Sequence, residues 1–193
     1  MIELPSDPAP NGMEAALLDY GVIQRGASSL RVNRPGNRYR MAFSYPPMQP
    51  DKARTFTGRL TRAKRDGVKV ELPLIVSQGS PGSPVVDGAG QSGTTLAVRG
   101  LTPGYVAREG FWLTITDADD RGYLHQVMVT IAADGSGDAT LLIEPPLRAP
   151  FADGADIELA APWIEGFIDG EEWGWMIPVN HLVSVGFTVE EYA

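Results

Sequence analysis

The chain has 193 residues, 43% of them apolar, with a formal net charge of −8 and no cysteine. That length fits one domain or two small ones, and the apolar fraction supports a packed core rather than a disordered chain. Disulfide and thiolate chemistry are excluded, and no apolar run approaches the ~18 residues of a membrane span.

Charge is unevenly placed: residues 1–75 carry +5 and residues 76–193 carry −13. A basic front and an acidic back suit head-to-tail or stacked self-assembly, in which opposite patches meet. The plainer reading is an acidic domain joined to a basic one.

Residues 1–12 contain Pro5, Pro8, Pro10 and Gly12 and read as an extended arm. The arm has neither a basic start nor an apolar core, so no secretory signal is expected and the protein reads as soluble and made in a cytoplasm. Residues 13–20 fit either one helical turn or an irregular strand. Residues 22–25 and 29–32 read as short strands around Gly26, and Pro35-Gly36 fits the centre of a type II turn. Residues 39–45 alternate as a half-buried strand does, with Tyr39, Met41, Phe43 and Tyr45 on one face, before Pro46-Pro47.

A helix is predicted over 51–65, with Pro50 before it and Gly67 past its end. Ala53, Phe56, Leu60 and Ala63 share one face, while Lys52, Arg54, Arg59, Arg62 and Arg65 occupy the other. A basic row of this kind fits nucleic acid; without stacking partners nearby it fits a solvated helix face better. Residues 68–76 return as a strand.

From 78 to 93 the composition turns to glycine, proline and serine, which predicts a long loop at a domain boundary. No phosphate-cradling glycine motif occurs there, and a strand follows. Strands are then predicted at 95–99, 111–116, 123–131, 139–143 and 156–159, with turn residues between them, as in a small barrel. Ile131 to Ala133 and Ala139 to Ile143 flank Asp134-Gly135-Ser136-Gly137 and read as a hairpin ended by Pro145-Pro146. In the closing segment Trp173, Trp175, Ile177 and Val179 alternate, and a second apolar stretch runs from Leu182 to Val189. These strands need partners that a completed barrel does not offer, so 164–193 is expected to pair with 1–77.

No catalytic, cofactor or metal residue is assigned, and the chain is read as a non-enzyme. His125 and His181 lack recognisable partners, and Asp117, Asp119 and Asp120 miss the spacing of a calcium loop. Glu171-Glu172 and Glu190-Glu191, placed on strands, point to opposite faces and form no acid–base pair.

Several segments together resemble the distal tail proteins, or minor tail-tip ring proteins, of long-tailed bacteriophages and phage-like gene transfer agents. They are Arg34-Pro35-Gly36-Asn37-Arg38-Tyr39, Tyr45-Pro46-Pro47-Met48 and Gly110-Phe111-Trp112-Leu113-Thr114-Ile115. Tyr123-Leu124-His125-Gln126-Val127 and the stretch from Ala133 to Arg148 carry the most specific part.

The resemblance implies a mainly β fold: a discontinuous β-rich ring-forming domain with one short helix, plus an inserted β-barrel of OB-like or galectin-like kind. The expected division is 1–77 and 164–193 for the ring domain and 78–163 for the barrel. It further implies a virion structural protein of the tail tip, assembled in the host cytoplasm as a homo-oligomeric ring, a hexamer, with no membrane and no sequence-specific nucleic-acid binding. Its partners would be the tail tube protein, the baseplate hub protein and the tape-measure protein. DNA passing through such a ring favours an acidic or neutral lumen, not one lined by Arg54, Arg59 and Arg62. The assembly contacts expected are Leu4, Pro5 and Pro8 of the arm, Arg54, Arg59 and Arg62 of the helix, and Trp173 and Trp175, for which a buried core role is the alternative. Other readings are a carbohydrate- or receptor-binding adaptor of a baseplate, and an OB-type nucleic-acid-binding protein. For the first, Tyr105, Phe111, Trp112, Tyr123 and Phe151 are the barrel's available aromatics.

Overall fold

The computed structural model describes residues 1–25, 30–32, 36–179 and 181–192, with backbone alone at Gln24 and Arg31. The expected turn at Pro35-Gly36 lies partly outside the described residues. The chain is mainly β with one helix. In order come β1 (Ile2–Glu3), β2 (Gly12–Leu18), β3 (Val22–Gln24), β4 (Leu30–Val32), β5 (Arg38–Ser44), α1 (Pro50–Asp66), β6 (Val68–Glu71), β7 (Gly82–Val86) and β8 (Gly93–Leu101). They are followed by β9 (Val106–Ala107), β10 (Trp112–Thr116), β11 (Gly122–Val127), β12 (Ile131–Ala132), β13 (Ala139–Leu147), β14 (Ile157–Glu158), β15 (Trp163–Ile168) and β16 (Gly186–Glu191). Two compact units result, one of residues 1–16, 39–77 and 161–192, the other of 17–38 and 78–160.

The first unit is built on a six-stranded sheet in the order β1-β6-β15-β16-β5-β2. β15 lies antiparallel to β6 (Ile164 opposite Val70), and β16 antiparallel to β5 (Phe187 opposite Phe43). The alternation of β5 is realised: Tyr39, Met41, Phe43 and Tyr45 are buried, while Arg40 and Ser44 are exposed. Helix α1 starts with proline in its first turn, where the missing N–H is not needed. It ends at Gly67, whose φ of 78° lets its N–H reach Ala63 O at 2.8 Å. Its buried stripe is Ala53, Phe56, Leu60 and Ala63, with Phe56 edge-on to Tyr45 at 4.5 Å between ring centres. Burying these side chains, more than helix propensity, holds the helix in place. The strand expected over 68–76 stops at Glu71; Ile75 and Val76 lie in solvent without a ladder.

The second unit holds a six-stranded antiparallel sheet in the order β14-β10-β11-β13-β8-β7. It is nearly closed into a barrel: Val85 bridges Asp156, and Val86 exchanges backbone hydrogen bonds with Ala155 and Gly154. Inside are Leu96, Val98, Leu113, Ile115, Val127, Leu141, Ile143 and Phe151. The buried amide of Gln78 clasps the start of this unit: Oε1 accepts from Trp112 N at 2.7 Å, and Nε2 donates to the carbonyls of Trp112 and Leu159.

Three expectations fail in this unit. The loop expected over 78–93 contains β7, in which Pro84 falls at a register shift between Gly82 and Val85 where no N–H is called for. Pro145 and Pro146 do not end a strand; β13 runs to Leu147 because its ladder with β8 shifts register between Leu142 and Leu147. The 131–143 hairpin is not a paired ladder either: β12 pairs with β9, while β13 pairs with β11 and β8. Its turn survives, with Asp134 Oδ1 accepting from the N–H groups of Ser136 and Asp138.

Candidate functional site

All eight residues expected at an assembly surface lie in the first unit. Leu4, Pro5 and Pro8 are half-buried, and the arm is tied to the helix at two points. Lys52 Nζ pairs with Asp7 Oδ2 at 2.5 Å, and Arg59 Nη1 donates to Glu3 O at 2.9 Å. The structure therefore brings the arm and the helix together, and it does so by using two of the basic side chains. Lys64, at the far end of the helix, donates to the carbonyls of Ile168 and Gly170. Arg65 bonds Asp66, Nε to Oδ1 at 2.6 Å, and holds that carboxyl below the usual carboxylate range.

After these uses Arg54 and Arg62 remain. Both are exposed, and neither guanidinium has an ion pair or hydrogen bond among the described residues. They stand four residues either side of Gly58, on the helix face opposite the buried stripe. A Cβ placed on Gly58 would meet nothing within 4 Å, so no packing inside the described chain requires glycine there.

Trp173 and Trp175 are not on a strand. Residues 173–179 form no ladder among the described residues, so the apolar alternation there does not mark a β-element. Nor are these tryptophans core. Trp173 is half-buried, its Nε1 donating to Gly186 O at 3.4 Å, and Trp175 lies against it with ring centres 5.0 Å apart at 30°. Beyond this pair Trp175 is 46% exposed, Met176 76%, Ile177 66% and Val179 96%. Large apolar side chains left in water side by side are uncommon on a protein that acts alone and mark interaction sites. Asp169, Glu171 and Glu172 precede them; Asp169 pairs with Arg40, while Glu171 and Glu172 are exposed and have no ion pair among the described residues.

Met176 and Gly58 escape a reading of sequence pattern, and Ile177 and Val179 enter it only as an apolar alternation, not as an exposed surface. The signal that marks them is mismatch: apolar residues beside Gly174 and Pro178, and a glycine inside a strongly patterned helix.

A second exposed apolar element is the antiparallel pair β3 and β4, which among the described residues pair only with each other and leave Val22, Ile23, Leu30 and Val32 in solvent.

The other expected candidates resolve locally. The Asp117 carboxylate accepts from the N–H groups of Asp119 and Arg121 and from the Tyr123 hydroxyl, which makes a turn. No group of three or more His, Asp or Glu among the described residues is placed to hold a metal ion. His125 is fully buried in the barrel, and His181 sits in a turn with φ 60°. Of the barrel aromatics, Phe151 is buried and Tyr105, Phe111, Trp112 and Tyr123 are half-buried. No protein-family model and no curated protein matches this chain.

Proposed function

We propose that this chain is a virion structural protein of a phage-like tail tip, assembling as a ring, a hexamer, that joins the tail tube to the baseplate hub. The observation that carries this reading is the run Trp175, Met176, Ile177 and Val179, exposed to solvent beside Trp173, whose ring lies tilted against that of Trp175. Such a run needs a protein partner to leave water, and aromatic and methionine side chains are favoured at that kind of contact. A nearly closed barrel in the same chain as a discontinuous sheet unit, and the resemblance of 110–148 to tail-tip proteins, support the same reading.

The test is mass photometry and electron microscopy of the purified full chain, alone and with tail tube and baseplate hub proteins from the same genome. Closed rings, or rings completed by those partners, are the expected result. A monomer under every condition overturns the proposal.

A further inference from the structure

Resting on that reading, we propose how one copy holds the next: the Trp173–Trp175 loop of one copy seats on the Arg54–Gly58–Arg62 face of α1 in a second copy. The two surfaces carry opposite charge, and exposed apolar side chains on one answer open space on the other. The loop offers a flat, exposed indole and three exposed apolar side chains behind the free carboxylates of Glu171 and Glu172. The helix offers two guanidinium groups that have no hydrogen bond or ion pair among the described residues, separated by a glycine with open space above it.

At 1.5 Å rise per residue Arg54 and Arg62 stand about 12 Å apart along the helix axis, which leaves room for an indole to lie on the bare backbone at Gly58. There the apolar stems of Arg54 and Arg62 flank it, while Glu171 and Glu172 come within reach of the same two guanidinium groups. Glycine is a poor helix residue, and nothing in the described chain packs on Gly58. A ring approaching from outside accounts for it. The remaining basic groups are already committed, Lys52 and Arg59 to the arm and Arg65 to Asp66.

Loop and helix face are different surfaces of one molecule, so the contact is head-to-tail, the kind that closes into rings or runs on as filaments. It also places Arg54 and Arg62 between subunits and away from a lumen through which DNA would pass.

The test uses charge reversal and mixing. The variant Glu171→Arg/Glu172→Arg has a basic loop and a basic helix face; Arg54→Glu/Arg62→Glu has an acidic loop and an acidic face. Each alone should associate at least about tenfold more weakly than the unaltered chain, and an equimolar mixture should regain assembly with the two alternating. Because the chain lacks cysteine, a weak contact can be trapped as well. Chains carrying Met176→Cys mixed with chains carrying Thr55→Cys should give a mixed disulfide dimer on oxidation, well above the homodimers of either alone.

Reversed variants that assemble as the unaltered chain does, a mixture that stays apart without a mixed disulfide, or Met176→Cys homodimers in excess overturn the contact. Rings from the unaltered chain together with any of those outcomes remove only this interface. A mixed disulfide without rings keeps the contact and removes the ring.

Discussion

Inside the barrel, Nδ1 of His125 donates to the carbonyl oxygen of Pro145 at 2.8 Å, and the opposite ring nitrogen, Nε2, is buried without a hydrogen-bond partner. A carbonyl only accepts, so Nδ1 carries the proton and Nε2 holds a bare lone pair in apolar surroundings. Burial pushes the pKa down from 6.5 to about 3; the Pro145 bond opposes the change, and the Arg148 charge adds to it.

The unfolded chain therefore binds a proton at His125 over a range of pH in which the folded barrel does not. Stability is complete above about pH 6.5 and falls as pH drops toward 3, by about 2–3 kcal/mol between pH 7 and 4.5 from this group. Urea midpoints of the barrel transition measured at pH 7 and 4.5 check this. His125→Asn, which keeps a donor for Pro145, should make the slope distinctly shallower; an unchanged slope rules out the histidine as its source.

The helix rests on packing. Leu60 is fully buried beneath it, and Phe56 meets Tyr45. Leu60→Ala should destabilise the first unit by about 2–5 kcal/mol, since it removes buried methyl groups and leaves a cavity. Thr55→Ala, on the exposed face, should cost little. Thermal denaturation of both variants, followed by circular dichroism, is the comparison.

These two elements show what sequence could and could not disclose. β5 and α1 were legible because each buries one face against a neighbour, and the resulting periods of 2 and 3.6 are written in Tyr39, Met41, Phe43 and Tyr45 and in Ala53, Phe56, Leu60 and Ala63. β7 and the end of β13 were hidden because proline ordinarily excludes a ladder, yet Pro84, Pro145 and Pro146 fall where register shifts remove the need for a donor. At Trp173, Trp175, Ile177 and Val179 the apolar alternation was present without any strand. Apolar character records a need for burial, but not whether this chain or another supplies the cover. The same ambiguity left the helix arginines undivided. Only the folded chain separates Arg59, bonded to Glu3, from Arg54 and Arg62, which have no hydrogen bond or ion pair among the described residues.

The Asp134 turn depends on its last glycine. Gly137 has φ 85°, and a Cβ there would stand 2.1 Å from Leu101 O, whose own N–H donates to Gly137 O at 3.0 Å. Gly137→Ala combines a disfavoured backbone conformation with a clash against backbone, and should cost at least ~2 kcal/mol. Gly135→Ala, two residues earlier, meets nothing within 4 Å and should be mild. Equal losses in chemical denaturation would contradict this account of the turn.

Gly58 separates folding from assembly. In the isolated chain its replacement is favourable: glycine within a helix is worse than alanine by roughly 0.5–1 kcal/mol, leucine is nearly as good as alanine, and the space above is open. Gly58→Ala and Gly58→Leu should therefore raise the unfolding midpoint of the monomer. Seating an indole between Arg54 and Arg62 needs that space empty, so the leucine should abolish association, while alanine, with one methyl group, weakens it in part. The two measurements move in opposite directions on a single substitution, which a merely destabilising change does not produce. A Gly58→Leu chain that is both more stable and fully assembled would show that the face of α1 is not where a neighbouring subunit docks.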